Sequence, residues 1–263
     1  MKKYLFIFKS EVMSNFQYIT NIIVGFIGYF LILYIFLNLW KYIYSDPSEL
    51  INGYSLNQMI WYVIFTEVIW SVLGGRKICA RISEDVKAGN IAYNINKPYS
   101  YIGYVLSTNL GTCAVRALIY IVLGLLVGFI FLHSFPTLNI LSILAILLTF
   151  VFAIVISILL ITAIGLVSFF IEDAGPLYWI YSKFILVLGV IFPIEFFPVW
   201  ARGILTYSPV YAVSYGPARL FVIFSWDNFI YVLIAQVIYV FISYMICALL
   251  YRKGVKRLNV NGG

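Results

Sequence analysis

The chain has 263 residues, of which 63% are apolar and only 10% charged, whereas an average soluble domain is nearer half apolar and a quarter charged. With 22 Phe and 22 Tyr and a mean hydropathy of +1.01, it carries more apolar surface than a globule this size can hide, so part of its solvent is lipid. This excludes a soluble enzyme, a disordered tail and a small disulfide scaffold. The net charge of +7 is read from its placement along the chain, not as affinity for nucleic acid.

Tyr4, Leu5, Phe8 and Val12 recur at helical spacing beside Lys2, Lys3, Lys9 and Glu11. Residues 1–16 therefore read as an amphipathic helix lying in the membrane interface. No cleavage-site pattern follows, and the apolar run beginning near Ile19 is long enough to span. Six stretches reach the roughly 20 apolar residues that a bilayer core requires: 19–40, 57–75, 105–132, 139–170, 180–198 and 228–251. The fold class is an all-α integral membrane protein with six transmembrane helices. The third and fourth stretches, at about 45 Å for 30 residues, must tilt or protrude. Of 17 Lys and Arg, thirteen fall on the side that holds both termini, while Lys41, Arg202 and Arg219 fall on the other and Arg116 lies within a span. The positive-inside rule then puts both termini in the cytoplasm of a multi-pass protein of the cell membrane, plasma or inner. Trp40, Trp61, Trp179 and Trp226 at span edges read as an aromatic belt, ahead of a ligand cage.

Two connections are long enough to carry function. In the inner one, residues 74–98, Ile78, Ile82 and Val86 repeat every four residues between Arg76, Lys77, Arg81, Glu84, Asp85 and Lys87. This predicts a short amphipathic helix stopped at Gly89, and Pro98 delays the next helix. An ordinary solvated loop is the bland reading; a docking element for a cytosolic partner is the sharper one. The outer one, residues 192–225, carries Pro193, Glu195 and Pro198 and stays apolar through Pro209, Tyr211, Pro217 and Phe221. Repeated Pro forbids a single helix, and so greasy a segment cannot lie free in water, so short re-entrant or cap helices are expected. Glu67 and Arg116 stand inside the second and third spans, where ionisable groups are costly. An intramembrane ion pair is the first reading; a translocation path and exposure to the inner headgroups are the others. Gly124 and Gly128 form a small-xxx-small pattern that permits close helix contact within the chain or between chains.

Chemistry is otherwise missing. Cys79, Cys113 and Cys247 have no framework spacing and His133 is the single His, so neither disulfides nor a zinc site are expected. No HExxH, GxSxG or GxxxxGK[ST] occurs, so the chain reads as no enzyme, with no nucleotide site and no cofactor of its own. Any energy must be supplied by another subunit.

This layout resembles the membrane permease subunits of ABC transporters, specifically the type-two exporter class, across nearly the whole chain (1–263, a single permease domain). The residues that carry the resemblance are Glu84-Asp85-Val86-Lys87-Ala88-Gly89-Asn90-Ile91 before Lys97-Pro98, and Phe192-Pro193-Ile194-Glu195-Phe196-Phe197-Pro198 before Pro209. Order and spacing carry it more than any one residue. The resemblance implies a dimer, homo- or heteromeric, of permease chains embedded in membrane lipids. Each would dock on a separate ATPase, which binds ATP and Mg, through 76–91 as a coupling helix. The cargo would be a lipid, drug, peptide or glycan-type molecule, mostly moved outward. A six-span channel or ion-coupled carrier without an ATPase is the alternative.

Overall fold

The computed structural model describes the chain apart from Met1, Tyr18, Ser45, Pro47, Asn96, Gly262 and Gly263; Met1, at the head of the predicted first helix, and Asn96, in the inner connection, thus lie outside the described residues. Among the described residues there is no strand, only one isolated bridge between Ile51 and Tyr54. The helices are α1 (Lys2–Gln17), α2 (Ile19–Ile43), α3 (Leu56–Leu73), α4 (Gly75–Lys87), α5 (Asn90–Ile95), α6 (Tyr101–Leu132) and α7 (Ile140–Leu166). They continue with α8 (Gly175–Ile185), α9 (Val199–Thr206), α10 (Gly216–Val222) and α11 (Trp226–Asn261).

Local sequence sets several boundaries. Ser55 and Gln58 form a reciprocal capping box at the start of α3, and Gly74 ends that helix in the left-handed region at φ 55°. The same glycine is the N-cap of α4, so one residue turns the chain from a buried span into an amphipathic helix. Ser100 caps α6 and Asn139 caps α7, each side-chain oxygen accepting from the backbone N–H three residues on.

Side-chain contacts fix the directions. On α6, Gly124 packs against Ile64 and Val68 of α3 and Gly128 against Trp61, while Cys113 Sγ bonds the Val72 carbonyl, so α3 and α6 are antiparallel. Gly124 and Gly128 thus serve contacts inside this chain. Gln236 bonds the Thr149 carbonyl, Cys247 that of Leu159, and Gly254 meets Phe169, so α11 runs parallel to α7.

The first helix packs along the first half of α6. Tyr4 packs on Gly103, Glu11 on Gly111, Tyr120 on Gly25 and Tyr29 on Gly124. Both α1 and α2 therefore run lengthwise beside α6 and in its direction, and α1 does not cross it. The reason lies on α6: Gly103, Ser107 and Gly111 leave a groove along one face in which α1 fits. Tyr4, Phe8 and Val12 face that groove, but Leu5 does not; it is exposed with Phe6, Met13 and Phe16.

Among the described residues, five helices are long and apolar enough to cross a bilayer. They are α2, α3, α6, α7 and α11. The expected fifth span at 180–198 is instead a shorter helix over Gly175–Ile191, whose second part, Leu186–Ile191, is π-helical. It still climbs the length of the bundle. Tyr178 packs at Gly75, Tyr62 donates to the Gly189 carbonyl (2.8 Å) and Thr66 to that of Val190 (3.0 Å), and Phe192 stacks edge-on to Trp40. Backbone carbonyls freed by the wide turn are thereby satisfied inside the protein, as an apolar surrounding demands.

Residues 193–225 then dip back. A 3₁₀ turn at Ile194–Phe196 leads to α9, and the Tyr207 carbonyl accepts from Tyr239, which lies about 20 Å along α11 from Trp226 at 1.5 Å per residue. A π segment, Tyr211–Tyr215, and α10 return to the outer end, where Phe221 stacks on Phe65. The segment is re-entrant. Pro193, Glu195 and Pro198 sit where the segment leaves the end of the bundle to which it returns, whereas Pro209 lies at the tip of the dip, in the turn between α9 and the π segment.

Candidate functional site

Three parts of the molecule hold the predicted site residues. The inner part is α4. Ile78, Ile82 and Val86 are buried at 5%, 1% and 6% exposure, and Arg76, Lys77, Arg81, Glu84 and Lys87 are exposed, with Asp85 half-buried. The stripe seats the helix on the inner end of α7, where Ile82 lies directly over Gly165 and Ser168 donates to Ser83 at 2.8 Å. The charged face is not uniform. Asp85 accepts from Tyr101 (2.9 Å), Arg81 donates to Tyr104 (3.1 Å), and Lys87 lies 4.0 Å from Asp173. Among the described residues, Arg76, Lys77 and Glu84 have no such partner.

The second part is the interior of the span bundle, and here the predicted ion pair does not form. Glu67 is 1% exposed, and neither carboxyl oxygen has a hydrogen-bond partner. Arg116 instead lays its guanidinium against Gly74, at the C-terminal end of α3. Side chains of an α-helix lean toward its N-terminus. Antiparallel α3 and α6 therefore tilt Glu67 toward the outer end and Arg116 toward the inner end. The negative pole of α3 gives the guanidinium a second reason to settle there. Arg116, Arg76 and Lys77 also line a cavity of about 680 Å³.

The third part is the outer polar knot. Glu195 accepts from Tyr54 (3.2 Å) and Tyr215 (2.5 Å) and lies 3.3 Å from Arg219, which itself donates to Tyr215 at 2.7 Å. Arg202 donates to the Glu195 and Phe197 carbonyls. Burial, and then the Glu195 carboxylate, push the Tyr54 phenol above its ordinary range, which keeps it a donor. One carboxylate thus ties the loop before α3 to the 3₁₀ turn and to α10.

Reading by residue type missed the hydroxyls and the amide that hold the broken segments. Tyr62, Thr66 and Ser214 serve the π-turn carbonyls, and Gln236 donates to both Thr149 and Ala212 carbonyls (2.8 and 2.9 Å). Their signal was polar groups inside apolar runs. Among the described residues, no group of three or more His, Cys, Asp or Glu could hold a metal.

Comparison with curated proteins finds no match. A family model described as ABC-2 family transporter protein matches residues 27–262, the span from α2 to the end of α11. The match covers the re-entrant segment, the inner helix and the broken helix together. The chain belongs to the ABC-2 transporter family, as a membrane permease component.

Proposed function

We propose that this chain is one half of a dimeric exporter driven by a separate ATPase. ATP and Mg bind to that subunit, and α4 is the contact through which its motion enters. The observation that carries the reading is the construction of α4: a buried stripe fixed to α7 with a charged face left outside. A helix held in this way moves with its span when pushed. Charged contacts give register and specificity more than affinity. In this reading the short helix α8 with its π turn makes the sixth pass, both termini are cytoplasmic, and the re-entrant segment closes the outer side of the path. The membrane is the cell membrane.

The test is co-purification of the tagged chain from its native membrane, followed by ATP turnover with and without it. Glu84→Lys with Lys77→Glu reverses two charges that have no partner among the described residues, so the fold is expected to stand while ATPase binding and stimulation fall at least tenfold. If the reversed protein binds, stimulates and exports as before, α4 is not the contact. If no P-loop ATPase co-elutes and ATP turnover does not respond to the chain, the ATPase-driven reading is overturned and the alternative, transport without an ATPase partner, takes its place.

A further inference from the structure

The cavity beside Gly74 has two kinds of wall. One holds Arg76 and Lys77 at the exposed end and Arg116 further in; the other is mixed, with Ile69, Trp70, Ile161 and Val190 beside the hydroxyl side chains of Tyr29, Thr66, Tyr120, Ser157 and Tyr178. Among the described residues no Asp or Glu lines it, and none lies within ion-pair distance of Arg116. The topology rule accounts for exposed Arg76 and Lys77 at a cytoplasmic end. It does not account for Arg116, which sits about four turns into α6 and is half-buried. A guanidinium held within a span is costly without a partner, and the C-terminal pole of α3 offers only a partial charge. The volume, about 680 Å³, falls in the range of ligand sites, and the wall offers both an apolar strip along Ile69, Trp70 and Ile161 and a set of cations and hydroxyls.

We infer that this cavity binds an anionic amphiphile. Its phosphate-type headgroup meets Arg116, Arg76 and Lys77, and its apolar part lies along Trp70, Ile69 and Ile161. A planar guanidinium can grip two oxygens of such a group at once, whereas the two outer cations draw it in from the cytoplasmic leaflet. Naming this ligand as the cargo rests on the exporter reading; the binding itself does not. The assay below therefore runs without ATP or any ATPase, and its failure is distinct from failure to find that partner.

The full chain is placed in phosphatidylcholine nanodiscs containing a minor share of brominated phosphatidylglycerol or, in parallel, brominated phosphatidylcholine. The readout is the emission of Trp70, taken as the part removed by Trp70→Phe. Brominated phosphatidylglycerol is expected to quench this component with about a tenfold preference over brominated phosphatidylcholine, the factor one charge-assisted contact supplies. Arg116→Gln is expected to abolish the preference and Arg116→Lys to keep part of it. Arg76→Gln with Lys77→Gln, both at exposed positions, is expected to reduce it even if Arg116→Gln fails to fold. Equal quenching by the two lipids, or a preference that survives Arg116→Gln in folded protein, overturns the inference. Full displacement of phosphatidylglycerol by millimolar inorganic phosphate also overturns it, because the site would then take a free anion and not an amphiphile.

Discussion

Replacing Glu67 by Met separates the ion-pair reading from the observed geometry by the sign of a single measurement. Met keeps the unbranched chain and removes both carboxyl oxygens, neither of which has a hydrogen-bond partner at 1% exposure. A buried polar group without partners costs about 1–3 kcal/mol, so Glu67→Met is expected to stabilise the protein by about that amount. At roughly 2–4 °C per kcal/mol, the melting temperature in nanodiscs should rise by several degrees. A buried ion pair with Arg116 would give the opposite result, a loss of about 3–5 kcal/mol from the stranded cation. The double variant with Arg116→Gln should equal the sum of the singles within about 0.5 kcal/mol. A fall in melting temperature, or a coupling of several kcal/mol, would refute the argument from side-chain lean. If transport falls while stability rises, Glu67 is retained for function at the expense of stability.

Two further outcomes test the supports of the inner helix and of the re-entrant segment. At Gly165 an added Cβ would stand 2.9 Å from the Ile82 Cβ, which is not a flexible chain end, so Gly165→Ala should cost about 1–3 kcal/mol. It should also raise hydrogen exchange across α4 while leaving α6 unchanged; protection of α4 as in the unaltered chain would show that the seat yields without cost. Gln236→Leu removes both amide bonds to the Thr149 and Ala212 carbonyls, worth about 1–2 kcal/mol together. Hydrogen exchange should then rise first over Tyr211–Tyr215, and a uniform rise over the whole chain would mean that the amide supports the bundle generally.

What was legible in the sequence follows from which features are local. The α4 stripe repeats with the period of one helix, so its buried face could be read directly; the helix itself ends at Lys87 and not at residue 91, because Gly89 turns the chain at φ 70° and a separate helix, α5, starts at Asn90. Long apolar runs gave α2, α3, α6, α7 and α11 for the same reason. The π turn after α8 was not legible, because the partners that make it tolerable come from more than a hundred residues away in α3 and from Ser214. The outer knot was half legible. Glu195 lay in the predicted cap region and Arg219 among the outer positive charges, but only the return of α10 past the loop before α3 joins them.

The failed ion pair is a different kind of miss, and it bears on how charge is used in this molecule. Opposite charges on successive spans suggest pairing only if they share a height, and height depends on register and on lean, which no single span contains. The antiparallel register sets Val68 opposite Gly124, about two turns beyond Arg116, and lean then separates the two charged groups further. Each charge is left with a separate environment: Glu67 in a closed interior, Arg116 at the wall of a cavity that also carries Arg76 and Lys77. Among the described residues the cavity wall therefore keeps a single sign. An internal pair would have engaged Arg116. Because it does not form, Arg116 is left to the anion proposed above, and it stands immediately beside Gly74, where the span gives way to the helix that carries the exposed charges.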